Sequence, residues 1–381
     1  MSRVFDAVVV GAGPAGSACA NALARGGADC LVVDWRRHSF GKPCGGAVTP
    51  RAASMLERAG LLARHELDGA TLAMHRTMSC FWQSNHLRTY DSLGEPVRIV
   101  DRLRFDGILL EKAVESGASA VRDDPVTRVC PGSPCVLETR SGRRIEARVV
   151  VGADGADSLV RRRSGRACNR LFGFGIECFV ETPPGLPDGL QIHFGIVPWG
   201  YGWLFPRGRD VCVGVGAIGR RVSPPATRAA LGRLIGKACP GLAERPVLRA
   251  APIPGYGIDL SPVPGRVFLC GDAAGLTDRL TGEGIGHAVE SGFLVARAVL
   301  EGWSGDRLFR EAGRGCAGIV RQSSAARLLL YHPLLRRAAM RKLAANDKFF
   351  AGYWDLISGA VDYRGLLLGF LRSSRWPPAS P

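Results

Sequence analysis

The chain predicts an α/β protein: a Rossmann-like dinucleotide-binding unit, interrupted by an antiparallel β-sheet unit and closed by a helical C-terminal region. Three observations lead there. A glycine-rich turn joins an apolar strand to a small-residue helix at the N-terminus. Between about residues 167 and 248 the texture changes to short alternating strands. Beyond Gly302 the pattern is helical and basic. With 381 residues there is room for more than one core.

The first strand begins near Phe5 and runs through Val8-Val9-Val10, the unbroken apolar run of a strand buried on both faces. Gly11-Ala12-Gly13-Pro14-Ala15-Gly16 follows as G-x-G-x-x-G. Gly11 allows the tight turn, and Gly13 lets backbone approach a pyrophosphate. Gly16 lets the helix over residues 14–25 pack close to the strand. Free N–H groups at that helix start suit an anion. A second strand, Cys30-Leu31-Val32-Val33, ends at Asp34, where an acid would hold a ribose hydroxyl. The turn alone is a weak signal. Together with both strands, the helix and the acid it points to a dinucleotide.

Residues 35–47 read as a loop, in which Pro43-Cys44-Gly45-Gly46 holds a thiol where backbone must approach something closely. Thr49-Pro50 reads as N-cap and first residue of a helix to about residue 59. Asp101-Arg102-x-x-Phe105-Asp106 opens a helix over residues 105–116, with Leu109, Leu110 and Val114 toward the core. Arg102 stands at its mouth, as a solvated cap or a cofactor contact. Strands are predicted at 126–129 and 136–139. A third, at 147–152, runs into Ala153-Asp154-Gly155 and repeats the first glycine turn at lower specificity.

In the β unit, Trp199-Gly200-Tyr201-Gly202-Trp203-Leu204-Phe205-Pro206 puts Tyr201, Trp203 and Phe205 on one face by period two. Such a stripe is core, unless the glycines between the rings make room for a flat ligand. Parallel texture returns at residues 267–270 and enters Gly271-Asp272-Ala273-Ala274-Gly275. Thr281-Gly282-Glu283-Gly284-Ile285-Gly286 then starts a helix over 284–300. These paired turns aim backbone donors at an anion. The apolar clusters at 328–335 and 366–371, flanked by arginines, suit a helical cap, a lid over an apolar pocket or an interfacial segment.

Net charge is +16, carried mostly by Arg. It fits an Arg-rich host composition or attraction to an anionic partner, and no nucleic-acid motif accompanies it. Twelve cysteines are scattered without C-x-x-C or metal-ligand spacing, so no metal is expected and a reducing cytoplasm is. The N-terminus enters a core strand at once, leaving no room for a signal peptide. No apolar run reaches bilayer-spanning length.

Four motifs resemble the FAD-binding set of the glutathione-reductase-type flavoproteins, which include aromatic hydroxylases. They are Gly11-x-Gly13-x-x-Gly16 with Asp34, Asp101-Arg102-x-x-Phe105-Asp106, Gly152-Ala153-Asp154-Gly155 and Gly271-Asp272-Ala273-Ala274-Gly275. Lys42-Pro43-Cys44-Gly45-Gly46-Ala47, Tyr201-Gly202-Trp203-Leu204-Phe205-Pro206 and Thr281-Gly282-Glu283-Gly284-Ile285 resemble the geranylgeranyl reductase family. In that family the flavin reduces isolated double bonds of prenyl chains.

The resemblance covers about the first three hundred residues. It implies a p-hydroxybenzoate-hydroxylase-like architecture: a discontinuous FAD-binding domain (1–75, 99–166, 249–310), a substrate-binding β-sheet domain (76–98, 167–248) and a C-terminal helical region (311–381). Ala15, Asp34 and Arg36 would serve the pyrophosphate and adenosine ribose, and Arg102 and the Val126 backbone the adenine half. Cys44 and Gly45 would lie near the isoalloxazine. Asp154, Gly155, Gly271, Asp272 and Gly282 join the FAD set, and Gly284 and Ile285 would offer N–H groups to the flavin's pyrimidine edge. One departure stands out. Arg279 occupies the place of the family's usual Pro, putting a cation near the flavin's face.

Only one dinucleotide fold is visible, so NADPH or NADH would visit as a transient donor. The expected reaction is hydride transfer to an alkene beside Tyr201, Trp203 and Phe205, with a proton from a nearby acid or from a water held by Tyr201 or Cys44. Cys44, Tyr201 and Trp203 are thus the catalytic candidates. The alternatives are a flavin monooxygenase or halogenase for an aromatic metabolite, and an electron-transfer flavoprotein serving a quinone or partner protein. The expected partner is a hydrophobic small molecule, with peripheral membrane contact left open.

Overall fold

The structure, a computed structural model, describes residues 3–35, 42–91, 94–166, 172–219, 222–240, 242, 246–255, 257–262 and 266–372. Arg36 lies outside them.

The apolar N-terminal run becomes strand Val4–Val10, with Val8 and Val9 fully buried. It pairs in parallel with Cys30–Val33 on one side and Arg144–Gly152 on the other. Ser119–Val121 extends the sheet beyond Cys30–Val33. Strand Arg144–Gly152 is shared along its length. Its first half pairs antiparallel with Cys135–Thr139, and its last three residues pair in parallel with Val267–Leu269. Strands Val4–Val10 and Val267–Leu269 therefore both end beside Gly152, which brings the two glycine turns to one edge of the sheet.

Helix Pro14–Arg25 packs on helix Ile285–Leu300 at backbone distance. A Cβ on Gly292 would stand 2.2 Å from the Ala15 carbonyl oxygen. A small sheet of Ala47–Val48, Val97–Val100 and Thr71–His75 lies beside this unit.

The second large sheet runs in the order Arg249–Pro254, Phe172–Glu181, Asp210–Ile218, Gly200–Pro206, Leu190–Phe194, Met78–Trp82, Asn85–Tyr90. All its pairs are antiparallel except Leu190–Phe194 with Met78–Trp82. Alternation gives it two faces. Ile176, Cys178, Leu204, Val213 and Val215 pack under helix Pro224–Ala238. The opposite face carries Phe194 and Phe205 and is covered by C-terminal helices that contribute Leu330, Tyr331, Met340, Phe350, Tyr353 and Trp354.

Three expectations need correction. Strand Arg249–Pro254 completes the antiparallel sheet and so does not belong to the dinucleotide unit's 249–310 segment. Helix Arg102–Glu115 starts earlier than expected, because Asp101 accepts from the Arg104 N–H at 2.9 Å. On that helix Phe105, Leu109 and Ala113 face the core, four residues apart, and Val114 is 43% exposed. Leu328, Leu334 and Leu335, in the first C-terminal apolar cluster, are exposed.

Two glycine substitutions separate close approach from mere propensity. Gly292→Ala forces a methyl group against the Ala15 carbonyl and is expected to lower stability by about 1–3 kcal/mol. Gly232→Ala, in a helix with nothing within 4 Å of the new Cβ, is expected to be stabilising by roughly 0.5–1 kcal/mol. Urea midpoints of the two variants read the contrast.

Candidate functional site

The dinucleotide end is built from backbone. Gly11 has φ +105°, and a Cβ there would stand 2.4 Å from the Ala153 carbonyl oxygen. A Cβ on Gly16 would stand 1.8 Å from the Gly11 oxygen. Gly13 caps helix Pro14–Arg25 without a side-chain bond, and the first turn has no acid, so an anion meets bare N–H groups near Ala15. Asp34 is buried at the end of its strand, where its N–H donates to the Val121 oxygen and its own oxygen accepts from the Asp124 N–H. Val126, half-buried, opens the strand just beyond.

Asp154 is engaged within its own turn. Its carboxylate accepts from Ser158 Oγ at 2.5 Å and from the Leu159 and Val160 N–H groups at 2.7 and 3.1 Å. It thus caps helix Leu159–Arg163 and fixes the Ala153 turn on which Gly11 rests. Gly155, at φ +83°, has open space around it.

At the other end, Lys42 Nζ meets Asp272 Oδ2 at 2.5 Å, and Thr277 donates to Asp272 Oδ1 at 2.8 Å. Burial alone would raise the Asp272 carboxyl; Lys42, Thr277 and Arg102 outweigh it and hold it below its ordinary value. Gly271, at φ +58°, donates its N–H to Ser291 Oγ. Arg102 is no solvated cap. Its side chain is 9% exposed and makes a bidentate pair with Asp106, both bonds at 3.0 Å, beside the Cys44 thiol. Burial works against its charge, and Asp106 and Cys44 more than offset this, keeping its pKa raised.

The Cys44 loop is held from the β sheet by a residue that the motifs did not flag. Cys44 donates its N–H to Glu177 Oε1 at 2.9 Å, and the Cys212 thiol donates to Oε2 at 3.6 Å. Trp203 Nε1 donates in turn to Cys212 Sγ at 3.4 Å. Burial pushes the Glu177 carboxyl up, against these donors and the charges of Arg102 and Arg207. Its only sequence signal was an acid in phase with the stripe face of an apolar strand.

Tyr201, Trp203 and Phe205 do form one stripe, with centroids 6.1 and 6.3 Å apart. The room beside them does not come from Gly200 and Gly202. A Cβ on Gly202 would strike Ile196 and Leu234 on the opposite face. Instead, Trp203 lies over Gly214, and Gly45 sits against the rings: a Cβ there would be 2.8 Å from Phe205 and 3.1 Å from Trp203 Nε1.

Tyr201 donates its hydroxyl to the Thr281 carbonyl, and burial first, then Asp278, raises its pKa. Its proton is therefore engaged in holding the turn, which makes it a poor acid. Gly282 is left-handed at φ +71°, and a Cβ there would meet the Tyr201 hydroxyl at 3.1 Å. Asp278, buried, accepts from the Leu280 and Thr281 N–H groups and from the Tyr363 hydroxyl at 2.7 Å. Tyr331 donates to the Leu280 oxygen. Arg279 is 8% exposed and donates to the Pro254 and Gly275 carbonyls, so it ties a strand to the turn. Gly284 then caps helix Ile285–Leu300 beside Asp272.

These residues fit an FAD. A glycine cradle and helix N-terminus suit the pyrophosphate, Asp34 the ribose, and the second helix N-terminus faces the end where Cys44, Asp272 and the aromatic stripe converge. Residues 4–171 match the FAD binding domain family. The chain is an FAD-dependent oxidoreductase of the p-hydroxybenzoate-hydroxylase-like fold.

Among curated relatives, it is 34% identical to the menaquinone reductase of Mycobacterium tuberculosis, over 76% of this chain and 75% of that one. It is 30% identical to digeranylgeranylglycerophospholipid reductase 2 of Methanosphaera stadtmanae, over 78% and 79%. Its fold is shared with a geranylgeranyl bacteriochlorophyll reductase-like protein of Thermoplasma acidophilum (TM-score 0.78, 20% identity, covering 97% and 99%). A flavin-dependent brominase shares it too (TM-score 0.75, 17% identity, 98% and 100%). The chain belongs to the geranylgeranyl reductase family.

Gly45→Val is expected to push the Cys44 loop off Phe205 and weaken FAD binding by about tenfold or more, a loss of roughly 1.4 kcal/mol. Fluorescence titration of apoprotein with FAD measures it; an unchanged affinity would place the loop away from the cofactor.

Proposed function

We propose that this protein reduces carbon–carbon double bonds of a hydrophobic, prenyl-type substrate, with a nicotinamide nucleotide as transient electron donor. The observation that carries the reading is the apolar cluster beside the Cys44 loop. There Tyr201, Trp203 and Phe205 pack in one group with C-terminal helices bearing Leu330, Met340, Phe350 and Trp354. A hydrocarbon chain entering between these side chains would be held by burial alone. The names of the relatives, reductases of menaquinone and of a digeranylgeranyl lipid, support the same class.

FAD, when bound, supplies the hydride. The chain's own residues do the rest. Ala15 and Asp34 hold the nucleotide half, and Lys42 and Arg102, already paired with Asp272 and Asp106, fix the loop around Cys44. The N–H groups at Gly284 and Ile285 favour negative charge at the flavin's pyrimidine edge. Cys44 lines the reacting end, its backbone pinned by Glu177. Among the described residues no helix is long and apolar enough to cross a membrane.

Anaerobic enzyme reduced by NADPH is expected to be reoxidised by a polyprenyl substrate with saturation of that substrate. Reoxidation that requires oxygen would instead indicate a monooxygenase or halogenase. Cys44→Ser is expected to retain FAD and slow substrate-linked reoxidation, followed by stopped-flow flavin absorbance; an unchanged rate removes Cys44 from the chemistry.

A further inference from the structure

The outer corner of the helical cap takes no part in the site described above. Helix Cys316–Tyr331 ends at His332, whose N–H donates to the Leu328 oxygen at 3.0 Å. The Leu335 and Arg336 N–H groups both donate to the His332 oxygen at 3.0 Å, and helix Arg336–Ala345 leaves from there. These bonds gather Leu328, Pro333, Leu334 and Leu335 at one corner, and all four are exposed. Leu334 is 83% exposed and Leu335 44%. Single exposed leucines are ordinary on a protein surface, but three so close beside a bare proline form an apolar patch. Packing of the cap does not use them. The inner faces of the same two helices carry Leu330, Tyr331, Met340 and Leu343 into the apolar cluster.

Positive charge surrounds the corner. Residues 312–346 contain seven cations and no acid. Arg337 and Arg341, four residues apart, share a face of helix Arg336–Ala345. Both are exposed, and neither meets an acid among the described residues. Two more arginines lie over half-buried rings at the corner's edge. Arg336 stands 5.8 Å from the Trp82 ring and Arg327 stands 5.1 Å from that of Trp199. The His332 ring meets Trp199 edge-on at 6.4 Å. Trp199 directly precedes the strand of Tyr201, Trp203 and Phe205, so the corner adjoins the end of the stripe.

We propose that this corner docks on an anionic lipid bilayer, with Leu334 and Leu335 entering the interface and Arg337 and Arg341 meeting lipid phosphates. Charge decides between occupants. A second copy across a two-fold axis would set the same acid-free patch against itself, where like charges repel. A nucleic acid would take the arginines and leave the leucines in water. An anionic bilayer satisfies both. Docking also gives a route for substrate, and this part rests on the reductase reading above. A prenyl chain would pass from the bilayer into the apolar cluster along the inner faces of the helices that dock.

Sedimentation with sucrose-loaded vesicles tests the surface, using the full FAD-loaded chain and no prenyl lipid. Binding is expected to vesicles of phosphatidylcholine and phosphatidylglycerol in equal parts, and about tenfold weaker binding or less to phosphatidylcholine alone. Leu334→Ser with Leu335→Ser should weaken the first by about tenfold or more. Arg337→Glu with Arg341→Glu should do the same. Arg228→Glu with Arg233→Glu makes an equal change of charge on exposed positions of helix Pro224–Ala238, which covers the opposite face of the second sheet. That pair should cost less than about threefold. Retained flavin absorbance and urea midpoint show that each variant folds. Wild-type protein that ignores the anionic vesicles overturns the proposal. Equal loss in the two arginine pairs overturns it by assigning binding to overall charge, and unchanged binding of the leucine variant overturns it as well. A wild-type dimer that the leucine variant dissociates, seen by analytical ultracentrifugation, gives the corner to a second copy instead. Vesicle binding by an enzyme inert to alkenes supports the surface and overturns the reductase reading alone.

Discussion

The architecture depends on two helices meeting without side chains between them. Helix Pro14–Arg25 offers its N-terminus to the pyrophosphate turn, and helix Ile285–Leu300 offers its own at the opposite end of the cleft. Gly292 against the Ala15 carbonyl, and Gly271 against the Ala15 methyl, set the separation of those two positive ends. Each glycine raises the conformational entropy lost on folding. The return is geometric: two sets of free N–H groups are held at a fixed spacing, without a flexible side chain intervening.

The turn from Asp278 to Gly284 is then clamped from three directions. Tyr201 reaches it from the β sheet, Tyr331 and Tyr363 from the C-terminal helices, and Arg279 from within. Burying Asp278 would cost several kcal/mol if its oxygens were unmet; two backbone N–H groups and a phenol meet them. The helical cap is therefore wired into the site by polar bonds as well as packed over it. A change at Tyr363, remote in sequence from every glycine motif, reaches the Leu280 and Thr281 backbone through the Asp278 carboxylate in two hydrogen bonds.

Much of this was legible in the sequence because its causes are local. Helix Pro14–Arg25 and strand Cys30–Val33 have the expected bounds, since glycine turns and short apolar runs act over a few residues. The stripe of Tyr201, Trp203 and Phe205 follows from alternation alone. What escaped was long-range. Glu177 looks like a misplaced acid until the Cys44 loop, 133 residues away, folds onto it. Gly214 gave no hint that it makes room for Trp203, because the clash it avoids lies on the neighbouring strand. Arg279 likewise gave no hint of its partners, because an arginine's reach is invisible in sequence; its guanidinium donates to the Pro254 and Gly275 carbonyls.

Charge pairing also constrains how this cleft receives an anionic cofactor. Despite the chain's net charge of +16, two cations at the reacting end are paired among the described residues: Lys42 with Asp272, Arg102 with Asp106. A free cation there would attract the diphosphate toward the wrong end of the cleft. Beside these pairs, oriented backbone N–H groups attract negative charge, and they act only within about one helical turn of their termini. Position along the cleft is therefore set by short-range dipoles, while the long-range positive potential governs only how fast an anion arrives. The same pairing fixes Lys42 and Arg102 as struts of the Cys44 loop. Neutralising Asp272 or Asp106 would thus disturb the loop's shape and the cleft's charge together.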